Sequence, residues 1–325
     1  MTFLANAAVD RLTAVLHEPD LGGTKYRLLR EAGAGGMGTV WEAEDVELGR
    51  RVALKVLDVP DPRGELARRL SFEARILARL EHPGIVPVHD VGTLPDGRPF
   101  YAMKLVQGER LDEHLARVPA LTDRLRLFLR ICEPLAFAHA QGVLHRDVKP
   151  ENVMVGPFGE VLVMDWGIAR SADEVAPPTE EEQAPIGPSP SRPGRLTASG
   201  TVLGTPGYMA PEQERGDVTS LDARADVHAL GALLRTMAQG ASPRLDRRLA
   251  AICAKATAPA REDRYRDVTS LAADVARFID GAPVEAYRER PWETAWRLLV
   301  KHRVAVILVL TYLAARALVL VVYRR

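Results

Sequence analysis

The chain has 325 residues, enough for one large two-lobed domain with appendages or for two ordinary domains. Lys+Arg and Asp+Glu each number 43, so net charge is zero with neutral histidines, and no basic field points to a nucleic-acid partner. Cysteine is confined to Cys132 and Cys253 in apolar helical surroundings, which read as buried free thiols rather than a disulfide framework, and no Cys or His spacing suits a metal site.

Residues 1–24 form a short lead. It lacks the basic start of a secretory signal, and Leu4, Ala8, Leu12, Val15 and Leu16 suggest a helix. Tyr26 to about Leu105 is strand-rich with one helix. Val52–Leu57 is a β-rich run, and Leu66–Leu80 carries Phe72, Ile76, Leu77 and Leu80 on one stripe. From Leu111 the pattern turns mostly helical: Leu125–Gln141, Asp226–Gln239, Leu245–Ala256 and Ser270–Asp280. Ala176–Gly194 is rich in Pro, Glu and Ser; it buries too little apolar surface to offset its ordering entropy, so a mobile insertion is expected at about 171–200.

Val304–Tyr323 is apolar except for Arg316, and as a helix it would span about 30 Å. It predicts a transmembrane helix over 304–323, preceded by a juxtamembrane segment over 282–303. Arg316 costs about 3 kcal/mol on insertion and is the best support for the alternative, a buried or surface-lying helix. Arg288, Arg290, Arg297, Lys301 and Arg303 precede the run, and Arg324 and Arg325 follow it. That excess predicts a single-pass protein of the cell membrane with its large N-terminal part cytoplasmic, and the two residues beyond the span predict no extracellular sensor in this chain. Trp292 and Trp296 stand where an interfacial aromatic belt would lie.

Five motifs carry chemistry. Gly33-Ala34-Gly35-Gly36-Met37-Gly38-Thr39-Val40 lets backbone approach phosphates. A dinucleotide-binding turn would open a helix after the last glycine, whereas Thr39–Ala43 reads as a second strand, so a hairpin lid fits better. Lys55 lies in the apolar strand Val52–Leu57 and needs a carboxylate partner; Glu73 on the next helix is the choice and Glu65 the rival. In His145-Arg146-Asp147-Val148-Lys149-Pro150-Glu151-Asn152, Asp147 is placed to accept a proton from a hydroxyl, Lys149 to reach a phosphoryl group, and Asn152 to offer an amide oxygen to Mg²⁺. Asp165-Trp166-Gly167 follows the strand Val161–Met164 and supplies a carboxylate suited to a hard cation. The last is Gly204-Thr205-Pro206-Gly207-Tyr208-Met209-Ala210-Pro211-Glu212.

In this order and spacing the motifs resemble the protein-kinase signature set, and the chain is most similar to the bacterial eukaryotic-like serine/threonine kinases. The resemblance implies an α+β, two-lobed protein-kinase fold over 25–281, with a β-rich N-lobe at about 25–105 and a helical C-lobe at about 106–281. It implies transfer of the ATP γ-phosphate to Ser/Thr hydroxyls of proteins, with Mg²⁺ as the metal and Mn²⁺ able to substitute. Lys55 would hold the α/β-phosphates and pair with Glu73, Asn152 and Asp165 would bind the metal, and Asp147 would act as base. Gly33, Ala34, Gly35, Gly36, Met37, Gly38, Val40, Ala53, Met103, Lys104, Val106 and Met154 would surround the nucleotide. Lys149 and Thr205 would favour Ser/Thr acceptors. Arg146 would gather a phosphate on Thr197, Ser199 or Thr201, which implies autophosphorylation of the activation segment. Asp226 would anchor the catalytic loop, and Arg264 would pair with Glu212. A homodimer is left open.

Departures from the pattern are few. Trp166 stands where the family usually has Phe, and Lys104 replaces a common acidic residue. Only about Gly240–Asp246 precedes the next helix, where the family has several tens of residues including a docking helix; its loss is expected to leave apolar surface uncovered. Two rival functions are a pseudokinase or scaffold and a small-molecule phosphotransferase.

Overall fold

The computed structural model describes residues 18–34, 38–58, 64–166, 170–171, 207–216, 221–242, 244–292 and 307–316. The lead helix, Gly35, Gly36, Met37, Gly167, Thr197, Ser199, Thr201 and Thr205 lie outside the described residues, as does nearly all of the expected insertion.

The N-terminal lobe is a five-stranded antiparallel sheet. Its strands are β1 (Tyr26–Ala34), β2 (Thr39–Asp45), β3 (Arg50–Val56), β4 (Val88–Thr93) and β5 (Pro99–Lys104), in the order β1-β2-β3-β5-β4. Helix α1 (Glu65–Arg79) packs on one face. The alternation of strand side chains builds two cores. Val52, Leu54 and Val56 of β3, with Phe100 and Ala102 of β5, join Tyr26 and Trp41 on the outer face. Ala53 of β3, with Tyr101 and Met103 of β5, faces Leu70, Ala74 and Leu77 of α1. Lys55 shares that inner parity and sits directly across from Tyr101 in the register.

The C-terminal lobe holds β6 (Glu109–Arg110), α2 (Leu111–Leu115), α3 (Leu121–Ala140), β7 (Val143–Leu144), β8 (Val153–Val155), β9 (Val161–Val163) and β10 (Arg170–Ser171). It continues with α4 (Pro211–Glu214), α5 (Ala223–Gln239), α6 (Arg247–Ala256) and α7 (Val268–Ile279). Small sheets β6-β8-β9 and β7-β10 line its upper edge. Ser171, placed by sequence in the insertion, thus belongs to a strand. Helix starts follow side-chain caps: Asp222 accepts from Arg224 N, Asp246 from Arg248 N and Asp267 from Ser270 N, at 2.8, 2.8 and 2.7 Å. That is why α5 and α7 begin earlier than their apolar stripes.

The short connection after α5 does not strip the lobe as expected. Helix α6 lies directly on α5, so close that a Cβ on Gly231 would sit 2.5 Å from the Ala256 methyl. Leu233, Leu234, Leu249 and Ile252 are fully buried. Among the described residues of this lobe, Phe158 in the β8–β9 turn is the large apolar side chain left exposed. The segment after Gly281, expected as juxtamembrane, starts packed on the lobe. Val284 is buried, and the Asp274 carboxylate accepts from Glu285 N (2.6 Å), Ala286 N (3.0 Å) and the Tyr265 hydroxyl (2.7 Å). Residues 307–316 are helical. Among the described residues no helix is long and apolar enough to cross a membrane.

Candidate functional site

Strands β1 and β2 form the hairpin read from the glycine-rich motif, with Gly33 paired to Val40. At Gly38 the chain runs against β3: a Cβ would sit 2.1 Å from Val56 O, so only glycine fits. Val40 pairs in turn with Lys55.

Lys55 is buried, and its Nζ donates to both Glu73 oxygens, at 2.8 and 2.9 Å. Its Nζ also lies 3.6 Å from Asp165 Oδ1. Burial pulls the Lys55 pKa down, but the charges of Glu73 and Asp165 outweigh it and hold the group above its ordinary value. The ammonium therefore stays charged inside the fold. Glu65, the rival partner, begins α1 two turns and more before Glu73. Sequence reasoning missed a further partner. The Tyr101 hydroxyl donates to Glu73 Oε1 at 2.9 Å. Its signal was an aromatic hydroxyl at inward parity in an apolar strand, where a buried hydroxyl needs an acceptor.

The other wall is the loop between β7 and β8. Lys149 Nζ lies 2.6 Å from Asp147 Oδ2. Asn152 Nδ2 donates to Asp147 O (2.8 Å) and Asp147 Oδ2 (3.1 Å), so its amide oxygen faces away from Asp147. His145 links this loop to the metal-motif strand. Its Nδ1 accepts from Asp147 N at 3.3 Å, which leaves the ring proton on Nε2, 2.9 Å from Met164 O. Met164 N in turn donates to Asn152 O at 2.7 Å. Trp166 is buried, its ring tilted against His145 at 4.6 Å between centroids, and its Nε1 donates to Val163 O at 3.1 Å. It joins the apolar cluster that contains Ala74 and Leu77 of α1.

Arg146 and Asp165 have left-handed backbone, φ 69° and 56°. Such strain persists only where neighbours over-determine it. Asp226 supplies that for Arg146: Oδ1 accepts Arg146 N (2.7 Å) and Oδ2 accepts His145 N (2.8 Å), with His139 Nε2 also 2.7 Å from Oδ2. Burial pushes the Asp226 pKa up, yet these donors, His139 first, hold it below the ordinary 3.8. Gln213, unremarked in the sequence, donates to Arg146 O at 2.9 Å and accepts from Ala210 N at 3.1 Å. Arg264 forks onto Glu212 at 2.7 and 2.9 Å, with no exposed side-chain surface of its own.

On the expected nucleotide side, Ala53 and Met103 are buried cross-strand partners, Val106 and Met154 are half-buried, and Lys104 is exposed at the end of β5. Lys104 N bonds Pro87 O at 3.1 Å. The Asp165 carboxylate is half exposed at the end of β9. It and the Asn152 amide oxygen are the oxygen donors that the site offers to a hard divalent cation, which would take phosphates and water for the rest of its coordination.

Residues 26–295 match the family model described as protein kinase domain. PknA of Mycobacterium tuberculosis, a serine/threonine-protein kinase, is 41% identical over 67% of this chain and 48% of its own. The DNA damage-responsive serine/threonine-protein kinase RqkA of Deinococcus radiodurans is 39% identical over 67% of this chain and 30% of its own. The PknI kinase domain of Mycobacterium tuberculosis superposes with a TM-score of 0.56 at 29% identity, covering 79% of this chain and 96% of that one. The chain thus spans about a third to a half of the length of the curated relatives it matches. With the sheet-and-helix lobes, the Lys55–Glu73 pair and the Asp147 loop all in one frame, the chain belongs to the protein kinase family, of the bacterial eukaryotic-like serine/threonine type.

Proposed function

We propose that the chain transfers the ATP γ-phosphate to Ser/Thr hydroxyls of protein substrates and autophosphorylates on Thr197, Ser199 or Thr201. The observation that carries the reading is the 3.6 Å approach of Lys55 to Asp165, which joins the two walls at one point. Phosphoryl transfer needs positioning and positive charge more than covalent help. Lys55, fixed by Glu73, meets the α/β-phosphates. Asp147 takes the acceptor hydroxyl's proton, and the ammonium of Lys149 beside it stabilises charge on the moving phosphoryl group. Asn152 and Asp165 would hold a Mg²⁺, which would supply further charge against the phosphate oxygens.

Among the described residues no catalytic or metal-motif position argues for the pseudokinase reading. Lys55, Asp147, Asn152 and Asp165 are all present. A radiolabelled-ATP assay of the full chain against Asp147→Asn tests the activity. The expected outcome is a fall of about 10²–10⁴ in kcat. Equal labelling by both proteins, or labelling by neither, would end the reading.

The 304–323 segment is read as a single-pass anchor with the kinase lobes cytoplasmic. Its support is local: Ile307, Leu308, Val309, Leu310, Tyr312 and Leu313 are all exposed, an apolar surface that wraps the helix rather than striping it. Such a helix asks for lipid or a partner on every side. Fractionation of the full chain should recover it with membranes until detergent is added. Recovery in the soluble fraction would remove the anchor.

A further inference from the structure

We propose that Tyr101 is a positioning residue for nucleotide: its hydroxyl holds Glu73, and through it Lys55, in the phosphate-gripping arrangement. The inference rests on the reading of Lys55 and Glu73 given above. Lys55 and Tyr101 are opposite one another on β3 and β5 and point to the same face. Glu73 reaches that face from α1 and accepts from both, so one carboxylate ties two strands to the helix. All three side chains are buried, with Glu73 and Tyr101 at 2% exposure.

The two donors do different jobs. Lys55 has rivals for its protons: Asp165 is 3.6 Å away, and phosphate oxygens would draw it further. When Lys55 turns toward a nucleotide, its hold on Glu73 weakens. Among the described residues, the Tyr101 hydroxyl has Glu73 as its acceptor. Burial raises its pKa well above 10, and the negative charge of Glu73 raises it further, so the hydroxyl remains a donor. The Tyr101 bond therefore keeps Glu73 inward while Lys55 shifts. The Tyr101 ring also lies 5.8 Å from the ammonium, at its edge of reach for a cation–π contact, which a phenylalanine would keep. The hydroxyl alone separates the two residues.

The test is a double-mutant cycle on the full chain: Tyr101→Phe, Glu73→Gln and both together. Steady-state kinetics use Mg-ATP and a generic basic protein. Y101F should lower kcat/KM for ATP about tenfold, mainly through KM for ATP, with KM for the protein substrate unchanged. In the E73Q background the same change should cost less than about twofold, because glutamine keeps an acceptor for Tyr101 but lacks the charge that grips Lys55, so holding it in place no longer serves the nucleotide. Tyr101→Met, which fills space without a hydroxyl, serves as a second variant with the same expectation should Y101F fold poorly. Unchanged kinetics in both variants would overturn the proposal. So would equal losses with and without Glu73, the signature of a packing residue. If E73Q alone is silent while Asp147→Asn is not, the Glu73 assignment itself falls and takes this proposal with it.

Discussion

The two walls of the cleft are held in different ways. On the C-terminal wall, side chains clamp backbone: Asp226 accepts from the amides of His145 and Arg146, His145 accepts from that of Asp147, and Gln213 donates to the carbonyl of Arg146. On the N-terminal wall, side-chain tips meet side-chain tips: Lys55 and Tyr101 from the sheet, Glu73 from the helix. A backbone clamp inside a packed lobe cannot open without loosening the lobe. A tip-to-tip contact can open by a small shift of α1 while sheet and core remain. The base wall is therefore the fixed half of the site and the cationic wall the adjustable half. Of the two left-handed residues, Arg146 sits where fixation is strongest.

The sharpest way to break this contrast is Asp226→Asn. The amide would turn an N–H₂ toward a buried N–H of His145 or Arg146, or toward His139, in place of an acceptor. A loss of about 3–5 kcal/mol is expected, with activity falling alongside, because the clamp and the fold are one object here. Urea unfolding checks it. The pH dependence gives a second reading. The Asp226 pKa is below 3.8 in the fold, against the upward push of burial, because His139 and the backbone amides stabilise the carboxylate. Its contribution is complete above about pH 4 and is lost as pH falls through the lower folded value. The wild type should lose midpoint temperature steeply below pH 4, and the Asp226→Asn variant less so. Glu73→Gln makes the contrast from the other side. Glutamine still offers Oε1 to Lys55 and Tyr101, so about 1 kcal/mol of stability should go, while kcat/KM for ATP falls far more. Should Glu73→Gln destabilise the chain as much as Asp226→Asn, the two walls are not different in kind.

Much of this was legible in the sequence. Lys55, Glu73, Asp147, Asn152 and Asp165 lie in motifs whose spacing is set by strand and loop geometry, so letters and order sufficed to bring them together. What escaped was long-range or small. Tyr101 and Gln213 act through hydrogen bonds to residues 28 and 67 positions away; inward parity marks the Tyr101 hydroxyl as needing an acceptor without saying which, and no local pattern marks Gln213. Strands β6, β7 and β10 have two residues each, too short for a period of two to register. The helix starts at Ala223 and Val268 depend on aspartate caps that precede the apolar stripe. The expectation of bare apolar surface after α5 failed because sequence shows what is missing but not how neighbours close up; Gly231 lets α6 settle onto α5.

The smallest expected effect lies at the junction of the fixed wall with the rest of the lobe. His228, on α5, is half-buried beside the Arg264–Glu212 pair. Burial lowers its pKa below 6.5, and the Arg264 guanidinium lowers it further, against the raising pull of the Tyr208 backbone, Glu212 and Glu214. A histidine whose folded pKa lies below its unfolded value favours the neutral form in the fold. Its stabilising contribution is full above about pH 6.5 and declines as pH falls through the folded value. His89 is shifted the same way, by burial and then by Arg50, and adds its own slope in this window. His228→Phe should therefore flatten, without abolishing, the fall in midpoint temperature between about pH 7 and pH 5, and leave the steep loss below pH 4 in place. Parallel curves for wild type and variant through that window would show that protonation of His228 does not strain the Arg264–Glu212 pair, and that the fixed wall extends no further into α5 than Asp226.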